Sequence, residues 1–230
     1  MVLPVVAVDE AENETLSEYV LRQVQSAIVR GEIAPGSKIS EPELARAYGI
    51  SRGPLREALR RLEGQKLLVR VAHVGARVVS LSRAELIELY QIRESLESLA
   101  CRLAAENMSA NDIEALRDVL RAHEQDEAFQ AGRGYYQQEG DFDFHYRIVQ
   151  GSGNSLLIRM LCDELYQLAR MYRIQYSTTP NRPAQAFAEH HRILDAIAEG
   201  DGELAALLMG RHIRTSRLNI ERQIQQETTR

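Results

Sequence analysis

Three histidines and a carboxylate stand where a helical protein would place its apolar faces. Asp141 and His145 are four residues apart, so on one helix they share a face with Ile148. His190 falls at the centre of the stripe formed by Ile193, Leu194 and Ile197, with His191 towards its edge, and His212 lies near Leu208 and Met209. A single inward histidine is more often a hydrogen-bonded core residue than a ligand. One carboxylate and three imidazoles on three inward faces are, together, a donor set that divalent first-row ions accept, and helical bundles build such sites in their cores. Zn²⁺, Ni²⁺, Mn²⁺ and Fe²⁺ all suit three histidines and one carboxylate, and the residue types do not choose among them. Arg93 points inward between Leu89, Tyr90, Leu96 and Ala100. A buried guanidinium requires an anion. Two are open to it: Glu97, four residues on, or the carboxylate of a bound ligand, and one can orient the other. Asn154, in a Gly-Ser-Gly-Asn turn, is first a helix-entry residue that could add a hydrogen bond to such a ligand. Tyr166, Arg170 and Arg173 are candidates to line the same pocket.

A different chemistry lies between residues 44 and 63. The apolar pattern Leu44, Ala45, Tyr48 breaks at Gly49 and resumes as Leu55, Ala58, Leu59 and Leu62, the spacing of one buried helix face. Ser51 is placed to cap the second helix, and Pro54 falls in its first turn, where a missing N–H costs little. Two short helices joined by a Gly-containing turn predict a helix-turn-helix. Arg52, Arg56 and Arg60 share one flank of the second helix, with Arg52 in the first turn, where a recognition helix reaches base edges. Arginine's planar fork can bond guanine or clamp phosphate.

The elements that must carry these residues divide the chain of 230. Residues 1–13 end in an acidic run and read as a flexible arm. Residues 14–80 carry 11 Lys and Arg against 7 Asp and Glu, whereas residues 81–230 carry 17 against 23, so a net charge of −5 conceals a basic head. That head reads as a helix over about 16–30, a short one over 43–48, the arginine-bearing helix, and a hairpin over LLVRVAHVGARVVSL with His73 to Arg77 as its tip. The sum is a winged helix-turn-helix. From Ser82 the texture is all helical. Ser82 and Ser109 are helix starts, and further helices are predicted over 137–151, 155–177, 184–199 and 202–226, giving an antiparallel bundle over 82–226. Cys101 and Cys162 read as free thiols of a reducing compartment. No stretch is long enough to span a membrane, and the short apolar opening lacks the features of a signal peptide, so the expected location is the cytoplasm.

The run LARAYGISRGPLREALRRLEGQKLLVRVAHVGARV resembles the DNA-binding domain of GntR-type bacterial transcription regulators, because Ser51-Arg52, Pro54, Leu55 to Leu59 and Gly75 fall in order. That resemblance implies base and phosphate contacts from Arg52 and Arg56 and a wing around His73 and Gly75 that enters the minor groove. Pro42 departs from members with a basic residue there, so that phosphate contact is absent. The helical remainder is similar to the FCD effector domain of the FadR subfamily. Its metal-binding members resemble this chain in Asp-x-x-Phe-His (Asp141 to His145), Glu-His-x-x-Ile-Leu (Glu189 to Leu194) and the later His212. The resemblance implies a homodimeric regulator, a repressor by expectation, on a near-palindromic operator in double-stranded DNA. A small organic acid would bind the metal and Arg93. The competing expectations are a metal-dependent hydrolase on a DNA-binding head, for which no separate general base or nucleophile stands beside the ligands, and a sensor of the metal itself.

Overall fold

In the computed structural model, residues 15–125, 143–176 and 182–228 are described. Thr15 opens α1 (Leu16–Val29) with a capping box: its side chain accepts from the Glu18 amide, and Glu18 reaches back to the Thr15 amide. The helix stops at Gly31, whose φ of +78° suits glycine. After a turn come α2 (Glu41–Ala47) and α3 (Arg52–Gly64). The apolar stripe of α3, Leu55, Ala58, Leu59 and Leu62, is fully buried against α1, which contributes Val20, Val24 and Ile28. Burying four such side chains stabilises the head by about 1.5–3 kcal/mol for each large one.

Strands β1 (Leu68–Val71) and β2 (Gly75–Val78) pair antiparallel, with Leu68 opposite Val78 and Val71 opposite Gly75. Lys38 bridges Arg77, which adds the segment before α2 to the far edge of β2. The hairpin tip is therefore Ala72 to Val74. Arg77, expected at the tip, lies in the strand and donates to the Gly36 carbonyl at 2.7 Å.

The chain forms two compact units that divide between Ser80 and Leu81. In the second unit no strand occurs among the described residues. Its helices are α4 (Arg83–Asn107), α5 (Ala110–Glu124), α6 (Phe144–Gly151), α7 (Ser155–Ile158), α8 (Tyr166–Gln175), α9 (Arg182–Ala198) and α10 (Gly202–Thr228). Ser82 and Ser109 each form a full capping box, with Glu85 and Asp112. Long α4 packs mainly on α10 and also on α6 and α9, so it is the spine of the bundle.

The helices depart from expectation in three places. The one expected over 155–177 is interrupted by a π-helical stretch, Arg159–Leu165, between α7 and α8. An extra residue per turn rotates the faces of α8, and the 3.6-residue periodicity of apolar side chains carries no sign of it. The helix expected over 137–151 begins at Phe144, because Asp143 is extended and caps it, accepting from the amides of His145 and Tyr146. The helix expected from residue 184 starts at Arg182. The arm 1–13, the stretch 126–142 and Asp141 within it lie outside the described residues.

Candidate functional site

On α3 the buried stripe turns Arg52, Arg56 and Arg60 outward, and all three are exposed. Ser51 occupies the N-cap position, but its side chain makes no capping hydrogen bond, unlike those of Ser82 and Ser109. Arg56 donates from Nε to Glu41 of α2 at 3.0 Å, which holds the guanidinium by one edge. At the hairpin tip His73 has a φ of +62° and Gly75 of +100°, so the chain reverses tightly and His73 stands exposed. A basic helix face beside a narrow two-stranded tip is the shape that enters adjoining grooves of a duplex.

In the helical unit the fold brings His145 of α6, His190 of α9 and His212 of α10 together, with one ligand nitrogen from each lying within 4.8 Å of the others. All three are buried, His190 at 1% exposure. The Nε2 atoms of His190 and His212 are 3.3 Å apart. Two imidazole nitrogens at about 2.0–2.1 Å from one tetrahedral ion would stand at about that separation. Phe144 stacks on the His190 ring at 4.1 Å and fixes its plane.

Carboxylates orient the other two rings. His145 Nδ1 is 2.6 Å from Glu97 Oε2, and His212 Nδ1 is 2.6 Å from Glu189 Oε2. An ionised carboxylate can only accept, so each Nδ1 carries the hydrogen of that bond and Nε2 is the nitrogen left available to a metal. Burial pushes His190 well below the ordinary imidazole value, with the neighbouring His212 in the same direction. Burial likewise brings His212 down to about 4, although the hydrogen bond to Glu189 opposes it. Both are neutral imidazoles near pH 7, the form that binds metals.

Each carboxylate is held in turn by an arginine. Arg93 donates from Nε to Glu97 at 2.7 Å, and Arg182 donates from Nη1 to Glu189 at 2.9 Å and from Nη2 to Ser216 at 2.9 Å. Burial would raise the Glu97 carboxyl, but Arg93 and His145 outweigh it and hold Glu97 well below the usual range. Arg173 grips Asp143 on the N-cap of α6. Burial opposes ionisation there too, yet the charge of Arg173 brings Asp143 to about 2. Arg93 thus has the Glu97 partner expected from their spacing, while its Nη1 finds none among the described residues. It lies over the Tyr90 ring at 4.8 Å.

Two cavities adjoin the cluster and share Arg93, His145 and Arg173 as walls. Tyr146, Leu161, Cys162 and Tyr166 complete one; Tyr90, Arg182, His212, Ser216 and Asn219 complete the other. Of the pocket candidates named from the sequence, Tyr166 and Arg173 are lining residues; Arg170 is buried but lines neither cavity. Asn154 is not at the cavities: its Oδ1 caps α7, accepting from the Leu157 amide at 3.2 Å. His191 turns away to Glu124. Sequence reasoning gave Glu189 and Arg182 no role of their own. Apart from the place of Glu189 in the Glu-His-x-x-Ile-Leu run, their local signal is a spacing of seven, which puts both on one face of α9.

Residues 16–78 match the family described as bacterial regulatory proteins, gntR family, and residues 88–215 match the FCD domain. The "Probable D-xylose utilization operon transcriptional repressor" of Paenarthrobacter nicotinovorans is 32% identical over 200 residues, covering 86% of each chain. The HTH-type transcriptional repressor GlaR of Escherichia coli K12 is 28% identical over 203 residues, covering 84% of this chain and 90% of its own. Escherichia coli McbR/YncC has the same fold, with a TM-score of 0.74 at 22% identity over 92% of this chain and 100% of that one. With a DNA-binding helix-turn-helix ahead of an FCD domain, the chain belongs to the GntR family of bacterial transcription regulators and is a regulator, not an enzyme.

Proposed function

We propose that this regulator is a homodimeric, effector-responsive repressor of the FadR subfamily, working in the cytoplasm on a near-palindromic operator. Residues 14–80 are its DNA-binding domain and 82–226 its effector domain. Ser51, Arg52, Arg56 and Arg60 face the major groove, and His73 at the wing tip, with Gly75 next to it at the start of β2, meets the minor groove. The repressor direction is supported by the names of two relatives. His145, His190 and His212, with Asp141, would hold a divalent transition metal. The observation that carries this is the pair of Arg-Glu-His chains, Arg93–Glu97–His145 and Arg182–Glu189–His212, which turn two Nε2 atoms toward a third buried imidazole. A bound ion would supply a Lewis-acidic centre for the oxygens of a small organic acid. Arg93 would bind the same acid through Nη1 while Glu97 keeps its guanidinium in place. An acid that favours one arrangement of the DNA-binding domains shifts operator affinity by its differential affinity for the two states.

Metal content of protein as purified tests the site. One divalent ion per chain is expected in the wild type, with loss in His190→Ala and His212→Ala; full retention in both variants rules out this ligand set. A mobility-shift titration on operator fragments selected from random DNA tests the other half, and equal affinity and preference for Arg52→Ala, Arg56→Ala and the wild type would remove α3 from recognition.

A further inference from the structure

The cavity on the Arg182 side of the cluster is lined by three buried groups whose donor atoms have no acceptor among the described residues: Tyr90 Oη, Arg93 Nη1 and Arg182 Nε. Tyr90 is 1% exposed, Arg93 4% and Arg182 5%. Neither arginine is at liberty to turn toward solvent. Arg93 is tied by Nε to Glu97, and Arg182 is tied by Nη1 to Glu189 and by Nη2 to Ser216. A buried charged donor left unpaired is expensive, so the atoms that remain are poised for acceptors brought by a ligand. They come from two helices, Tyr90 and Arg93 from α4 and Arg182 from the start of α9, so a single carboxylate held at Arg93 leaves the other helix to be satisfied.

The charges in this region point the same way. Glu97, Asp143 and Glu189 match Arg93, Arg173 and Arg182 one for one. A divalent ion on the histidines then adds positive charge that these three carboxylates do not balance, and Asp141 as a fourth ligand would remove only one unit of it.

We propose that Arg182 is a second anion-binding residue, so that the effector is a short acid with two anionic groups, one beside the histidines on Arg93 and Tyr90, the other on Arg182 Nε. Ser216 assists: its oxygen accepts from Arg182, which leaves its own hydroxyl hydrogen to donate to the ligand. Asn219, buried on the same cavity wall, offers an amide. The volumes of this cavity and its neighbour, ≈ 20 and ≈ 30 Å³, are each near the space of one water, so the acid is short and the walls part to admit it. This assignment deepens the effector reading above and rests on it.

The test is calorimetric titration of full-length, Zn²⁺-loaded protein with malonate and succinate against propionate and butyrate, with bound metal measured before and after. A diacid is expected to bind at least about tenfold more tightly than the monoacid of equal length, the effect of one added charged hydrogen bond. Arg182→Met, compared at saturating Zn²⁺ because Arg182 also supports Glu189, should bring that ratio close to one. Ser216→Ala, which keeps every charge, should reduce it by about two- to threefold, and it decides the matter with the wild type if Arg182→Met does not fold or does not hold Zn²⁺. A ratio near one in the wild type, or an unchanged ratio in the variants, overturns the second subsite. If monoacids bind and diacids bind no better, the effector reading survives without this subsite; if no acid binds, both fall.

Discussion

Glu97 accepts from Arg93 on one oxygen and from His145 on the other, and Glu189 accepts from Arg182 and His212 on a single oxygen. Their work is to hold a ring in one tautomer and orientation, and outer partners of this kind commonly govern metal affinity by about 10–100-fold. Glu97→Gln and Glu189→Gln keep the side-chain shape and are expected to weaken metal binding by about that factor, read by competition with a chromophoric chelator. Unchanged affinity in both would mean that the rings are oriented by packing alone. At this scale the i,i+4 pair of Arg93 and Glu97 was legible, because one helix fixes the distance. The grip of Arg173 on Asp143 was not, since 30 residues separate them and nothing in the spacing of either announces the other.

The helix starts make the same distinction among elements. Ser82 and Ser109 cap α4 and α5 through reciprocal side-chain bonds, whereas Ser51 sits at the start of α3 without one. Ser82→Ala and Ser109→Ala should each cost about 1 kcal/mol in urea denaturation, and Ser51→Ala less than about 0.5 kcal/mol. A loss in Ser51→Ala as large as in the other two would contradict the geometry of that turn. On α3 itself, Arg52→Ala is expected to cost about 1–3 kcal/mol in operator binding and to relax the preference at one base position, as read by mobility shift across single-base operator variants. A uniform loss across sequences would make Arg52 a phosphate contact instead. The existence of α3, its buried face and its arginine flank were all readable, because a 3.6-residue period and a glycine turn are local signals. The π-helical stretch between α7 and α8 was not. Its Leu161 and Cys162 are buried at the cavity wall, and the spacing of apolar residues does not mark where the wider turn begins.

For the molecule as a whole, ligands of the proposed metal come from α6, α9 and α10, so an ion ties together three helices of the unit that begins at Leu81. Removing it by chelation should lower the thermal midpoint of that unit, by the equivalent of about 4 kcal/mol where the free ion stands near 1,000 times its dissociation constant. The unit ending at Ser80 carries none of these ligands and should melt unchanged, as circular dichroism at a range of chelator concentrations would register. A shift in both transitions or in neither would count against a metal confined to the bundle. The sequence by itself determined the head, the all-helical bundle and the histidines on apolar helix faces, because periodicity and turn chemistry act within a few residues. The tertiary structure alone decided which nitrogen of His145 and of His212 is tied to a carboxylate and which is left to the cluster. That choice is made by Glu97, 48 residues from His145, and by Glu189, 23 residues from His212, through hydrogen bonds that exist only once the helices have packed.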